Sequence, residues 1–189
     1  MVEFTGITLG LGEPLNTRQL LWINLLSDIF PGLALAMEPP EPDVLTNPPR
    51  DPNKPIIGQA DFKRISFESA VISAGSLASY GYGIMRYGRG PHASTLAFTS
   101  LTIGQLLHAI SCRSEKHSIF SKDRLAPNRY LTAALGGTLA LQGAAMVIPG
   151  IRSFLGITPI TLVDGLVVGC GAFFPLLVNE ATKQKGLHS

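Results

Sequence analysis

The chain has 189 residues, 46% of them hydrophobic and only 15% charged, with a formal net charge of +2 and a mean hydropathy of +0.27. Soluble domains carry about 25% charged residues, so the deficit points to a membrane. The small net charge, with basic residues scattered between apolar segments, excludes a nucleic-acid-binding stripe.

The amino terminus, MVEFTGITLGLGEPLNTRQ, has an acidic start and a glycine-rich, weakly apolar run. It lacks the basic region and small-residue cleavage site of a signal peptide. Its apolar part is too short to span a bilayer, and Gly12, Pro14 and Asn16 predict a turn.

The next stretch, Leu20 to Pro42, LLWINLLSDIFPGLALAMEPPEP, organises the chain because it places one carboxylate, Asp28, in an otherwise membrane-grade apolar helix. A charge near the bilayer centre costs about 2.5–3.5 kcal/mol even on lenient scales, so it ordinarily faces a polar interior and serves ions or protons. Helical spacing puts Asn24 on the same face as Asp28, with Ser27 adjacent. Pro31 offers no N–H, so the Ser27 carbonyl is expected to lose its usual partner and become a free oxygen, and Gly32 to loosen the backbone further. Carboxylate, amide, hydroxyl and carbonyl oxygens suit hard cations, and this cluster has none of the Cys and His that softer metals prefer. The competing reading is a buried structural acid bonded to a neighbouring helix.

The run LLWINLLSDIFPGLALAMEPPEPDVLTNPPR resembles the sixth transmembrane helix and following cytoplasmic loop of P-type cation-transporting ATPases, in the branch that includes the calcium pumps. In that family this helix gives an Asn, a Thr and an Asp to the transported ion, which map onto Asn24, Ser27 and Asp28. Serine keeps the hydroxyl but lacks the methyl that helps to fix the rotamer. The resemblance also makes residues 1–19 the remnant of a preceding helix and its outer turn, and residues 20–189 a cation-ATPase carboxyl-terminal transmembrane domain. Something upstream is then missing.

Beyond Met37, seven prolines fall between Glu38 and Gly58, which precludes helix and leaves no strand period. The similarity makes this a stiff cytoplasmic connection. Four more apolar stretches follow, Ser69 to Met85, Ala93 to Cys112, Tyr130 to Ile151 and Ile157 to Val178. With the first helix they predict an all-α, polytopic membrane bundle of about five transmembrane helices. Small residues recur every four positions at Gly75, Ser79 and Gly83, at Gly136, Ala140 and Ala144, and at Gly165 and Gly169, which permits close helix packing. Lipid-facing filler explains such stripes nearly as well. Asp164 opens the last span, where it is expected to cap the helix. Cys112 and Cys170 have no metal or redox spacing, so no disulfide is expected.

Eleven of the fifteen basic residues lie in 38–68, 113–129 and the tail. The positive-inside rule then puts the amino terminus outside and the carboxyl terminus in the cytoplasm, for a multi-pass protein of the cell membrane.

The third stretch carries Gln105 and His108, one helical turn apart. Its segment TIGQLLHAISCRSE resembles the eighth helix of the same pumps, where those with two calcium sites have a Glu at the position of Gln105. A neutral amide there implies one ion site, to which Gln105 still offers an oxygen. His108 is read as a helix-to-helix hydrogen-bond donor and is left out of the site.

The sequence contains no DKTGT phosphorylation motif, nucleotide-binding domain or actuator domain, so the chain alone cannot hydrolyse ATP. The resemblance therefore implies the membrane portion of an ATP-driven transporter of calcium or a similar cation. No cofactor is bound by this chain alone, and ATP and magnesium enter only through the missing domains. Its partners are the bilayer and the missing amino-terminal part of the ATPase. Oxygen cages serve calcium, manganese, sodium and magnesium alike, so the ion is not named. The alternative is a free-standing membrane bundle acting as a binding or regulatory subunit. A neighbouring reading frame encoding the missing domains separates the two.

Overall fold

The computed structural model describes residues 1–40, 57–114 and 126–184, so most of the proline-rich connection and the loop around Lys116 and Lys122 lie outside the described residues. The described chain is all helix, with no strand. A short helix α1 (Val2–Thr8) precedes a glycine turn and a first long helix made of α2 (Thr17–Ile23), a π-helical turn (Asn24–Ile29) and α3 (Phe30–Ala36). Then come α4 (Gln59–Tyr87), α5 (Pro91–Ser111), α6 (Arg129–Val147), α7 (Pro149–Leu155) and α8 (Leu162–Gln184).

Four of these segments are long and apolar enough to cross a membrane: Thr17–Ala36, Pro91–Ser111, Arg129–Val147 and Leu162–Thr182. The fifth expected span, α4, has ample length at 29 residues but a more polar composition. Its serines face inward: Ser73, Ser76 and Ser79 are buried, and Ser76 Oγ donates to Ala97 O at 2.9 Å.

Two expected spans have different bounds. Helix α6 ends at Val147 instead of Ile151, because Pro149 holds the preceding Ile148 in extended backbone (φ −75°, ψ 117°) and starts a new helix. Helix α8 starts at Leu162 instead of Ile157, where Thr161 and Asp164 cap each other: Thr161 N donates to Asp164 Oδ2 at 2.8 Å and Asp164 N to Thr161 Oγ1 at 3.3 Å.

Helices α4, α5 and α8 pack together with α5 the most deeply buried, while α6 packs against α3. The α4–α8 crossing depends on two glycines. Pro175 inside α8 removes the N–H that would bond Gly171 O, and there Gly75 of α4 approaches so closely that a Cβ on it would lie 2.1 Å from that oxygen. The stripe on α4 is thus used for packing, whereas Gly136, Gly165 and Gly169 face open space. Gly75→Ala is expected to cost about 1–3 kcal/mol through overpacking. Gly136→Ala should instead be neutral or stabilising by up to about 1 kcal/mol, and thermal unfolding in detergent compares the pair.

Cys112 and Cys170 are not bonded to each other.

Candidate cation site

The first long helix starts at Thr17 because Asn16 and Gln19 form a reciprocal cap: Gln19 N donates to Asn16 Oδ1 at 3.0 Å and Asn16 N to Gln19 Oε1 at 3.1 Å. Gln19 is fully buried. Its Nε2 donates to Leu155 O at 3.3 Å, and its Oε1 accepts from Ser94 Oγ at 3.0 Å. Further along, Trp22 Nε1 donates to Gln142 Oε1 at 3.0 Å. Beyond the helix end, Glu38 accepts from Arg113 Nε at 2.9 Å and from Asn128 Nδ2 at 2.6 Å. Anchored at both ends, the helix has little freedom to rotate, and this decides which face carries Asn24, Ser27 and Asp28.

These three residues fall in the π-helical turn Asn24–Ile29, immediately before Pro31. Widening the register is one way a helix continues past a residue with no N–H. The loosening expected at Gly32 is not seen, since α3 runs through it to Ala36. π-turns inside helices are rare and are found frequently at functional sites.

Asn24, Ser27, Asp28 and Gln105 line one cavity of about 480 Å³ between the first helix, α4 and α5. The residues picked out on two separate helices are therefore brought to one chamber. Asn24 and Asp28 are exposed to it. The single proton of the Ser27 hydroxyl has two acceptors in reach, Ile23 O at 2.7 Å and Asp28 Oδ1 at 3.1 Å, and with either one the hydroxyl oxygen keeps lone pairs for a ligand. Among the described residues Asp28 has no other hydrogen-bond partner and no ion pair. The structural-acid reading calls for a bond to a neighbouring helix, and among the described residues Asp28 makes none. Gln105 Oε1 is buried and, among the described residues, has no hydrogen-bond partner. An unpaired buried amide oxygen costs free energy, and a cation would satisfy it.

Residues not assigned to the site also line the chamber. Glu3 of α1 brings a second carboxylate, whose Oε1 accepts from Leu15 N at 2.7 Å. His108 lies on the same face of α5 as Gln105, with its Nδ1 3.5 Å from Asn179 Nδ2 and its Nε2 3.7 Å from Glu68 Oε2. Cys112 is also in the wall. Even so, among the described residues no group of three or more His, Cys, Asp or Glu side chains is placed to hold a metal ion. The oxygens of Asn24, Ser27, Asp28 and Gln105 are of the kind that hard cations take.

A family model described as the carboxyl terminus of cation-transporting ATPases matches residues 12–184. The chain belongs to this cation-transporting ATPase family. It is 31% identical over 197 residues to a calcium-transporting ATPase of Bacillus cereus, covering 95% of this chain and 22% of that protein. It is also 31% identical over 192 residues to a calcium-transporting ATPase of Bacillus subtilis, covering 98% of this chain and 21% of the relative. The mouse calcium-transporting ATPase type 2C member 2 is 30% identical over 174 residues, covering 92% and 18%. The chain thus spans about a fifth of the length of the curated relatives it matches and corresponds to the carboxyl-terminal region of cation-transporting ATPases. Within this cation-ATPase domain the matched range takes in the first long helix and α4 to α8; Glu3 lies ahead of it.

Proposed function

We propose that this chain is the part of an ATP-driven cation pump that holds the transported ion, with calcium the first candidate because the relatives above are named for it. One observation carries the reading: the oxygen-bearing side chains of Asn24, Ser27, Asp28 and Gln105, from two helices, share one cavity. Asp28 is the principal, charged ligand; Asn24, Ser27 and Gln105 are neutral donors. Phosphorylation and nucleotide binding belong to the remainder of the pump, which also completes the cation's coordination. In this reading the first long helix, α4, α5, α6 and α8 all cross the bilayer, and the basic loops face the cytoplasm.

A single carboxylate among these four donors implies one divalent cation at this site. In the pump completed with its missing domains, equilibrium binding of radioactive calcium is expected to give one ion per phosphorylation site. Two ions per site would overturn the assignment of Gln105 as the mark of a single-site pump.

A further inference from the structure

A second cavity, of about 440 Å³, lies at the end of the bundle where the short connections gather. Its wall includes Glu13, Asn16, Tyr80, Arg89 and Ser94. Among the described residues, Leu15 is the one that lines both this cavity and the cation chamber. Its side chain is packed, with 3% exposure.

The turn that carries Leu15 is held from several sides. Leu15 N donates to Glu3 Oε1 at 2.7 Å, Tyr80 Oη to Leu11 O at 3.2 Å, and Arg89 Nη2 to Gly10 O at 2.8 Å. Gly6 packs on the Pro14 ring so closely that a Cβ there would lie 2.4 Å from it. The turn itself passes through Gly10 (φ 67°) and Gly12 (φ 93°), left-handed conformations that glycine adopts without strain.

The two cavities thus adjoin at the Leu15 side chain, and an ion crossing directly from one to the other would meet it. An isobutyl group offers no oxygen to replace lost hydration, and an apolar constriction of this kind gates by excluding water. We propose that Leu15 is the gate that closes the cation chamber toward the short-connection end of the bundle. Glu3, which faces the chamber, holds the gate residue in place through its N–H. The identity of what passes rests on the cation-site reading; the barrier itself does not.

The test uses the whole chain with Cys112→Ser, Cys170→Ser and a reporter, Asn24→Cys, in right-side-out and inverted membrane vesicles. The probe is a membrane-impermeant, trimethylammonium-bearing methanethiosulfonate. A companion Glu13→Cys variant marks the vesicles whose short-connection end faces the reagent. From that end, Leu15→Ala is expected to raise the labelling rate of the reporter by about tenfold or more, and Leu15→Ile to leave it within about twofold of the parent. From the opposite end Leu15→Ala should change nothing. The gate is overturned if Leu15→Ala leaves the rate from the short-connection end unchanged, or if it raises the rates from both ends alike, which would report a loosened fold. Labelling needs no bound cation, so a chamber that binds none still leaves the gate testable.

Discussion

Asp28→Asn is expected to abolish cation-dependent phosphorylation of the completed pump at cation concentrations that saturate the parent, with apparent affinity lowered by about a hundredfold or more. That factor corresponds to about 2.8 kcal/mol, a modest share of the attraction between a carboxylate and a divalent ion in a partly dehydrated chamber. Folding should survive. The Asn side chain keeps an oxygen for the Ser27 hydroxyl, which lies 3.1 Å from Asp28 Oδ1, and a neutral amide is cheaper to place in a membrane than a carboxylate. The signature is therefore lost activation with an unchanged or raised melting temperature in detergent. Intact cation-dependent phosphorylation with lowered stability would make Asp28 a structural acid.

Asp164 should behave in the opposite way. It is fully buried at the start of α8, and it joins three helices: Tyr87 Oη of α4 donates to its carboxylate at 3.0 Å, and His92 Nε2 of α5 lies 3.3 Å from Oδ2. The Tyr87 and His92 rings stack with centroids 3.8 Å apart. Interhelical hydrogen bonds in membranes average only about 0.6 kcal/mol each, so the contacts alone explain little. Asp164→Ala also takes the acceptor away from the Thr161 N–H and the Tyr87 hydroxyl, part-buried contacts worth about 0.5–1.5 kcal/mol each. A loss of about 1–3 kcal/mol is expected in detergent unfolding. Asp164→Asn, which still accepts from Thr161, should lose less. A change in Asp164→Ala below about 0.5 kcal/mol, the range of an ordinary surface substitution, would show that this junction does not hold α8 in place.

Comparing these two carboxylates shows what was legible in the chain. Asp28 stands out because everything around it is apolar and its partners Asn24 and Ser27 lie on its own helix, where spacing alone decides which residues share a face. Gln105 needed the family resemblance, since nothing in its spacing says that α5 faces the first helix. Asp164 was readable as a cap, because it opens an apolar span where a carboxylate suits the helix amino terminus, and its capping partner Thr161 is local. Its bonds to Tyr87 and His92 cross 77 and 72 residues and belong to tertiary packing. Glu3 was hidden for the same reason: a short helix and a glycine turn fold it back onto the chamber, and neither leaves a periodic trace. At Pro31 the missing N–H was visible in the sequence, but whether a helix breaks or widens into a π-turn depends on its anchoring at Gln19, Trp22 and Glu38. At Pro149 and Pro159 the apolar runs continue across the helix ends, so hydrophobicity alone carried two spans too far.

The most direct test of the cation chamber is density for the ion itself. In crystals of the completed pump grown with calcium, the account predicts an anomalous peak within about 2.3–2.6 Å of the Asp28 carboxylate, with oxygens of Asn24 and Gln105 turned toward it. A calcium peak elsewhere in the membrane domain, with Asp28 bonded only to protein, would contradict it.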